Sequence, residues 1–185
     1  MKGYTNKTEI ENYLLTTIDS SFDTQIEHWI EDMEAYIDNY TSRNFIADSV
    51  ESERLYDGDG TRELVIDDAV SVGLVKIDGV ELQQGDGWAY PANKNPKNLL
   101  KLGTKFFTRG NQNVSVTGKW GYSENCPADI RRACTILVAG IINVTDRRVQ
   151  SETVGSYSVT YTSEKTWSDF YKITEILDSY RKFVF

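Results

Sequence analysis

The segment from Val114 to Ile130 joins the end of a β-region to the start of a helix, and this junction constrains the fold most strongly. Val114, Val116 and Trp120 continue a strand pattern. Pro127 stands where the first helical residue is expected, because that position needs no N–H donor. Apolar residues then recur at helical spacing, at Ile130, Ala133, Cys134, Leu137, Val138, Ile141 and Val144. The segment contains no nucleophile, base or ligand cluster, so we interpret it as architecture.

Two helices are predicted before the β-region. A capping-box pattern, Thr8-x-x-Glu11, predicts a short helix over residues 8–16. The second helix has a narrow apolar face between Phe22 and Tyr40. Its other face is acidic, and we interpret it as a solvated face in preference to a cation site. The acidic residues are Asp23, Glu27, Glu31, Glu34 and Asp38.

The helix that begins at Pro127 is apolar on more than one side. Ile136, Ala139 and Ile142 lie opposite its core stripe, and a helix that is apolar all round is buried on more than one side. In a chain of this size, the second covering surface is expected to be another subunit. An exposed loop over residues 146–152 and a strand over 155–161 follow.

A final helix is predicted over residues 168–182. Thr166 is its expected cap, with Asp169 three residues further on. Trp167 and Tyr171 point away from its core stripe. That stripe consists of Phe170, Ile173, Leu177 and Tyr180.

Short strand candidates separated by turn signals occupy the middle of the chain. The strands are expected at 54–56, 63–66, 74–77, 80–82 and 114–116, and residues 91–98 form the longest polar loop. We read Asp57-Gly-Asp-Gly-Thr61 as a hairpin turn. The sequence thus predicts an α+β fold: a helical core of about four helices with an inserted small antiparallel β-module and a late β-hairpin or strand. The expected parts are N-terminal core helices over 1–49, the module over 50–122, and the rest of the core over 123–185.

Composition excludes several classes of protein. The net charge of −8 argues against a surface that grips nucleic-acid phosphates tightly. Cys126 and Cys134 are too few for a disulfide framework and are expected to be reduced thiols. The first residues lack the apolar region of a signal peptide, and no apolar run reaches membrane-spanning length. A protein that is soluble where it is made is expected.

Candidate chemical motifs are weak. If Gly60 held the invariant glycine of a calcium loop, Leu55 and Ile66 would occupy two essential oxygen-ligand positions, so the match fails. The lone His28 is expected to be an ordinary surface histidine. Nucleophile-elbow, P-loop and dinucleotide-binding motifs are missing from the sequence. We therefore predict no catalytic residue, no cofactor and no metal.

Two other functions stay open from the residues alone. A carbohydrate-binding or carbohydrate-active module could use Trp88 and Trp120 as sugar platforms. Its carboxylates would be Asp57, Asp59, Asp67 and Asp68. A DNA-binding protein could use Arg131, Arg132, Arg147 and Arg148.

The order of eight short segments resembles the head-tail connector (adaptor) proteins of tailed bacteriophages and prophages. In the family, Gly often stands where this chain has Ser42, and Pro where it has Ser179. Both departures affect local turns. The segments are the second predicted helix, Tyr40-Thr-Ser-Arg-Asn-Phe45, Tyr56-Asp-Gly-Asp-Gly-Thr-Arg-Glu-Leu64, Val75-Lys-Ile-Asp-Gly79, Gly118-Lys-Trp-Gly-Tyr122, Pro127-Ala-Asp-Ile-Arg-Arg-Ala133, Val154-Gly-Ser-Tyr-Ser-Val-Thr-Tyr161 and Leu177-Asp-Ser-Tyr-Arg181.

The resemblance implies a structural virion protein, not an enzyme. It implies a ring of copies, a dodecamer of about twelve chains in many relatives, docked under the portal protein. DNA would pass through the ring without sequence-specific binding, and a head-completion (stopper) or tail-completion protein would be a further partner. The expected location is the head-tail interface of the virion, after synthesis in the host bacterial cytoplasm, with no membrane partner.

The residues expected to contact the portal or a neighbouring subunit lie on the last two predicted helices, in the loop at 146–152 and in the tail. The reason is that burying surplus apolar surface is the main gain available on assembly. The loop at 146–152 is expected to become ordered on assembly. The predicted contact residues are Ile136, Ala139, Ile142, Arg147, Arg148, Trp167, Phe170, Tyr171, Tyr180, Arg181, Phe183 and Phe185.

Overall fold

A computed structural model describes the backbone of residues 2–83, 85–149 and 164–182, and their side chains except at 144–149 and 164–171. Four helices and six strands occupy these residues, so the α+β prediction is confirmed. The chain forms two compact units. Met1–Ser42 and Cys126–Phe185 form the first, which we call the helical unit; Arg43–Asn125 form the second, which we call the β-unit. The sequence places the β-module over 50–122.

The helical unit begins with helices α1, Lys7–Leu14, and α2, Asp23–Thr41. The N-cap of α1 is Asn6 instead of the predicted Thr8, because the Asn6 side chain accepts the Glu9 N–H at 2.9 Å. A 3-10 turn, Ser20–Phe22, leads into α2, which ends at Ser42 in the left-handed region.

The other two helices of this unit are α3, Ala128–Val149, and α4, Glu164–Tyr180. The predicted loop at 146–152 is wrong for residues 146–149, because α3 continues through them. The predicted cap at Thr166 is also wrong, because α4 begins at Glu164 and has Thr166 inside it. The expected strand at 155–161 lies outside the described residues. The buried apolar core of the unit includes Ile10, Ile26, Ile30, Ile37, Ile130, Ala133, Cys134, Val138, Ile173 and Leu177.

The β-unit is one sheet with the strand order β1-β6-β2-β5-β4, and β3 pairs with β2. Every ladder is antiparallel, as predicted. Because β6 lies between β1 and β2, the predicted hairpin at 57–61 is wrong: this turn connects strands that do not pair. The strands are β1, Ser52–Gly58; β2, Glu63–Ile77; β3, Val80–Glu81; β4, Gly87–Tyr90; β5, Lys97–Leu102; and β6, Gly110–Trp120.

Strand β2 is longer than the pattern indicates. The two short strands predicted at 63–66 and 74–77 are one strand, which pairs with β5 in its first part and with β6 in its second. Register irregularities between these parts interrupt the alternation on which the prediction rests. The buried cluster under the sheet includes Leu64, Ile66, Ala69, Leu100, Leu102, Phe107, Val114, Val116 and Trp120.

Candidate assembly surfaces

The end of α4 is held against the end of α2. The Tyr40 hydroxyl donates to Asp178 Oδ1 at 2.7 Å, and the Lys182 N–H donates to the Thr41 carbonyl at 2.8 Å. The Arg181 guanidinium lies over the Tyr40 ring, 5.7 Å from its centroid. The hydrogen bond to Asp178 raises the pKa of Tyr40, because that carboxylate favours the protonated phenol. These contacts therefore fix the end of α4, up to Lys182, beside the end of α2.

The predicted contact residues of α3 are mostly covered within this chain. Ile136 is half-buried, whereas Ala139 is 0% exposed and Ile142 is 9% exposed. The chain itself therefore covers most of the apolar surface that the sequence assigns to a neighbour at these two positions. Their contact with another subunit stays a prediction.

The remaining predicted contact residues lie in the second half of α3, in α4 and in the tail. Tyr180 is half-buried and Arg181 is exposed. Five others are placed in α3 or α4 by their backbone alone: Arg147, Arg148, Trp167, Phe170 and Tyr171. Phe183 and Phe185 lie outside the described residues. The structure thus brings together only the part of the predicted set around the end of α4.

An open groove with a partly apolar lining lies where α1 ends and α2 begins. Its volume is about 270 Å³, and Ile142 of the predicted set lines it. Phe22 at its edge is 51% exposed, and the neighbouring Leu15 is 91% exposed. Asp19 supplies a carboxylate to the wall; a hydrogen bond from Ser21 lowers the pKa of Asp19 and keeps it ionised. The lining consists of Leu14, Thr16, Thr17, Ile18, Asp19, Phe22, Ile26, Trp29, Ile142 and Asn143.

One residue of the predicted solvated face of α2 is buried. Glu34 is 2% exposed, and its carboxylate accepts the backbone N–H groups of Lys2, Gly3 and Tyr4 at 2.5, 2.7 and 2.8 Å. The neighbouring Asp38 accepts the Tyr4 hydroxyl at 2.5 Å. The interpretation of Glu34 as a solvated acid is therefore wrong, because the segment before α1 folds over it. Spacing on the helix carries no signal of this cover.

The negative charge of the chain is concentrated in its first helices. Residues 1–42 contain nine Asp or Glu and two Lys, which accounts for −7 of the net −8. Residues 43–125 contain twelve acidic and ten basic residues, and residues 126–185 contain seven acidic and eight basic residues. One end of the helical unit's sequence is therefore strongly acidic and the other is nearly neutral with a slight basic excess.

The adjacent carboxylates of β2 have separate internal partners. Asp68 is buried and lies 2.5 Å from Arg43, whose guanidinium is also 5.4 Å from the Tyr122 ring centroid. Asp67 lies 2.8 Å from Arg54 and accepts the Tyr56 hydroxyl at 3.1 Å. Neighbouring residues of a strand point to opposite faces, so the two carboxylates do not converge.

The other two acids of the carbohydrate alternative are engaged in turns. Asp57 accepts the Gln112 N–H at 2.6 Å, and Asp59 accepts the Thr61 N–H at 2.8 Å. A second groove of the β-unit, about 520 Å³, has the 53% exposed Trp88 in its lining, but Trp120 is buried. Nothing in this geometry supports a carbohydrate site.

The described part of the chain contains no grouped metal ligands and no activated thiol. Within residues 2–83, 85–149 and 164–182, no three His, Cys, Asp or Glu side chains are grouped to hold a metal ion. His28 is exposed, as predicted, and lies 3.9 Å from Glu31. Burial raises the pKa of Cys126 to about 12 and raises that of Cys134 as well, so both thiols are protonated near neutrality.

The arginines of the DNA-binding alternative differ in their surroundings. Arg131 lies 3.8 Å from Glu9 and donates to the Cys126 carbonyl at 3.4 Å, whereas Arg132 is exposed. The side chains of Arg147 and Arg148 lie outside the described set. A search of the described helices for a span long and apolar enough to cross a membrane finds none.

Both the sequence and the fold of this chain have known relatives. A family model described as head completion protein matches residues 5–183. Among solved structures, the chain is similar to one described as the neck of an empty GTA particle computed with C6 symmetry. The TM-score is 0.60 at 12% identity, over 100% of this chain and 93% of the other, which shows a shared fold. No curated protein matches the sequence.

Proposed function

This chain belongs to the head completion protein family and has a structural role as a head-tail connector, and we propose that it acts there as a ring of copies through which DNA passes. The match of the family model over residues 5–183 is the observation that carries the proposal. The described residues support it, because their carboxylates, thiols and histidine are engaged or isolated and are not arranged for catalysis. We infer that the protein is not an enzyme.

A ring needs two different surfaces on each copy, because a head-to-tail contact joins one patch to another. The helical unit offers the groove at the start of α2 and the segment that follows α4. The similar neck structure was computed with C6 symmetry, and a ring of about twelve copies is compatible with a six-fold axis. Twelve copies is therefore our proposal for the number.

Passage of DNA is favoured by the charge of the chain. A surface with net charge −8 per copy repels phosphates, so a duplex in the channel is not held by counterion release. Residues 1–42 carry most of that charge, and we place them as the first candidates for the channel wall. No sequence-specific contact with DNA is needed for this role.

The proposed partners are a portal protein and a stopper or tail-completion protein of the same virion, with the chain made in the host cytoplasm. Helix α4 and the residues after it are the proposed contact with the portal or a neighbouring copy. Deleting all of α4 is a poor test, because Ile173 and Leu177 are 2% and 0% exposed. Ending the chain after Lys182 removes Phe183 and Phe185 and leaves this core intact.

The test is assembly measured by native mass spectrometry, with and without a portal ring from the same phage. The full chain should form closed rings of a defined multiple of its 21.1 kDa mass, and the chain ending at Lys182 should lose ring formation or portal binding. A matched control is Val80→Ser, which removes an exposed apolar side chain of β3. A full chain that stays monomeric in both conditions contradicts the proposal.

A further inference from the structure

We propose that the groove at the start of α2 binds residues 183–185 of a second copy of this chain, an inference that rests on the ring of the proposed function. Six of the ten residues that line the groove are apolar and one, Asp19, is acidic, and the tail Arg181-Lys-Phe-Val-Phe185 is basic and then apolar. Two aromatic side chains in three residues offer large contact area at low conformational cost. The apolar end of the tail thus matches the apolar part of the groove, and its basic residues match the acidic edge.

The groove has a size suited to side chains. Its volume of about 270 Å³ lies below the usual range for drug-sized ligands, about 300–1,000 Å³. Its walls come from α1, α2 and α3 and from the segment that joins α1 to α2, so it does not depend on a loop alone. Ile26 forms the buried floor and Phe22 the exposed rim. Seating an apolar side chain there would cover the part of Phe22 that faces solvent.

Charge favours the same occupant. Asp19 lies in the groove wall, and Asp23 follows Phe22 at the rim. Lys7 faces Asp23 at 2.6 Å and neutralises part of its charge, but residues 1–42 as a whole keep a net charge of −7. Arg181 and Lys182 would approach this region with two positive charges. Opposite charges at the rim of an interface mainly guide encounter and orientation.

Distance excludes the chain's own tail as the occupant. Lys182 is fixed beside Thr41 at the far end of α2 by a 2.8 Å hydrogen bond. Ile26 lies fifteen residues earlier on that helix, which is about 22 Å along the axis. Residues 183–185 extend at most about 11 Å beyond Lys182. The tail of one copy therefore reaches the groove of another copy in preference to its own.

This pairing gives a contact of the kind that rings use. Each copy offers one groove and one tail at opposite ends of α2, so each copy binds two different neighbours. The contact closes into a ring when a whole number of equal rotations between neighbours makes one full turn. Short tails also add little ordering cost, because only three residues become fixed.

Cross-linking between two variants that each carry one added cysteine tests the contact directly. Ile18→Cys places a thiol in the groove wall, and Val184→Cys places one in the tail while keeping both phenylalanines. Cys126 and Cys134 do not compete, because they are buried and protonated. The two proteins are mixed under ring-forming conditions, oxidised mildly and run on a non-reducing gel. We expect a band at twice the 21.1 kDa chain mass, with the 18–184 disulfide identified by peptide mapping.

The matched control replaces Ile18→Cys with Val80→Cys, an exposed apolar position of the β-unit, and should give at least a ten-fold weaker band. Rings without the 18–184 link overturn this inference and leave the proposed function intact. The link without closed rings supports the contact and contradicts the ring. A doubly substituted chain that closes the link on itself at high dilution overturns the inference, because the tail then reaches its own groove.

Discussion

The carboxylate of Glu34 lies 2.8 Å from the backbone nitrogen of Tyr4, which donates a hydrogen bond to it. The N–H groups of Lys2 and Gly3 point to the same carboxylate. Three backbone donors on one anion form a small nest, so the Glu34 side chain attaches the backbone of the segment before α1 to the middle of α2.

Glu34→Gln should destabilise the fold by about 1–3 kcal/mol, because a charged acceptor of three N–H groups is replaced by an amide that also carries donors. Urea unfolding followed by circular dichroism measures the change. Glu27→Gln, an exposed acid of the same helix, should stay within about 0.5 kcal/mol of the parent. Equal effects of the two variants would refute the role given to Glu34.

Arg43→Met should destabilise the β-unit by about 3 kcal/mol, because the buried carboxylate of Asp68 then loses its counter-ion. Its other oxygen has no hydrogen-bond donor among the described groups, which makes it depend on Arg43. The control is Lys101→Met, which breaks the exposed pair with Glu63 and should cost less than about 1 kcal/mol. Chemical denaturation compares the two.

Tyr40 should titrate above its ordinary value of 10.0 in the folded protein, because the protonated hydroxyl donates to Asp178. A pKa raised by folding stabilises the fold fully below the unfolded value, and this stabilisation is lost as the pH rises through the folded pKa. The pH dependence of stability contributed by Tyr40 therefore lies above pH 10.0. Ultraviolet absorbance of tyrosinate, compared with Tyr40→Phe, measures it. If Tyr40→Phe removes a tyrosine that titrates at the ordinary value, the hydrogen bond from Tyr40 to Asp178 does not raise the pKa as expected.

The two native thiols should react slowly with a disulfide reagent near neutral pH and quickly after unfolding. The pKa of Cys126, about 12, leaves only a minute fraction as thiolate, and Cys134 is 0% exposed. Colorimetric thiol counting in native buffer and in concentrated guanidinium measures the difference. A native cysteine that reacts as fast as the thiol introduced by Ile18→Cys would show that its cover opens.

The helices could be predicted from the sequence because apolar spacing is a local signal. It located α2 and α3 to within a few residues, and Pro127 marked the start of α3. Strand partners could not be predicted in the same way. Ser52 pairs with Gly118, sixty-six residues away, and no local pattern reports that β6 separates β1 from β2.

The missed elements have local reasons of their own. Strand β5 begins at Lys97, inside a run of polar residues, and its alternation is short. Glu34 has the same spacing as the exposed acids of α2, and its burial arises from a segment thirty residues earlier. The groove at the start of α2 also depends on Ile142 from a distant helix. Patterns within one helix identify its faces, but contacts between distant segments decide which face is covered.

The helical unit is assembled from both sides of the β-unit in sequence, and this arrangement matters while the chain is being synthesised. After α2 leaves the ribosome, eighty-three further residues, 43–125, must be translated before α3 begins to emerge. At about 5–20 residues per second, α2 waits roughly 4–17 s with Ile26, Ile30 and Ile37 uncovered by their later partners. The seven net negative charges of residues 1–42 repel other nascent chains during that interval. The acidic charge of the first helices is therefore expected to oppose aggregation of the nascent chain before α3 is made.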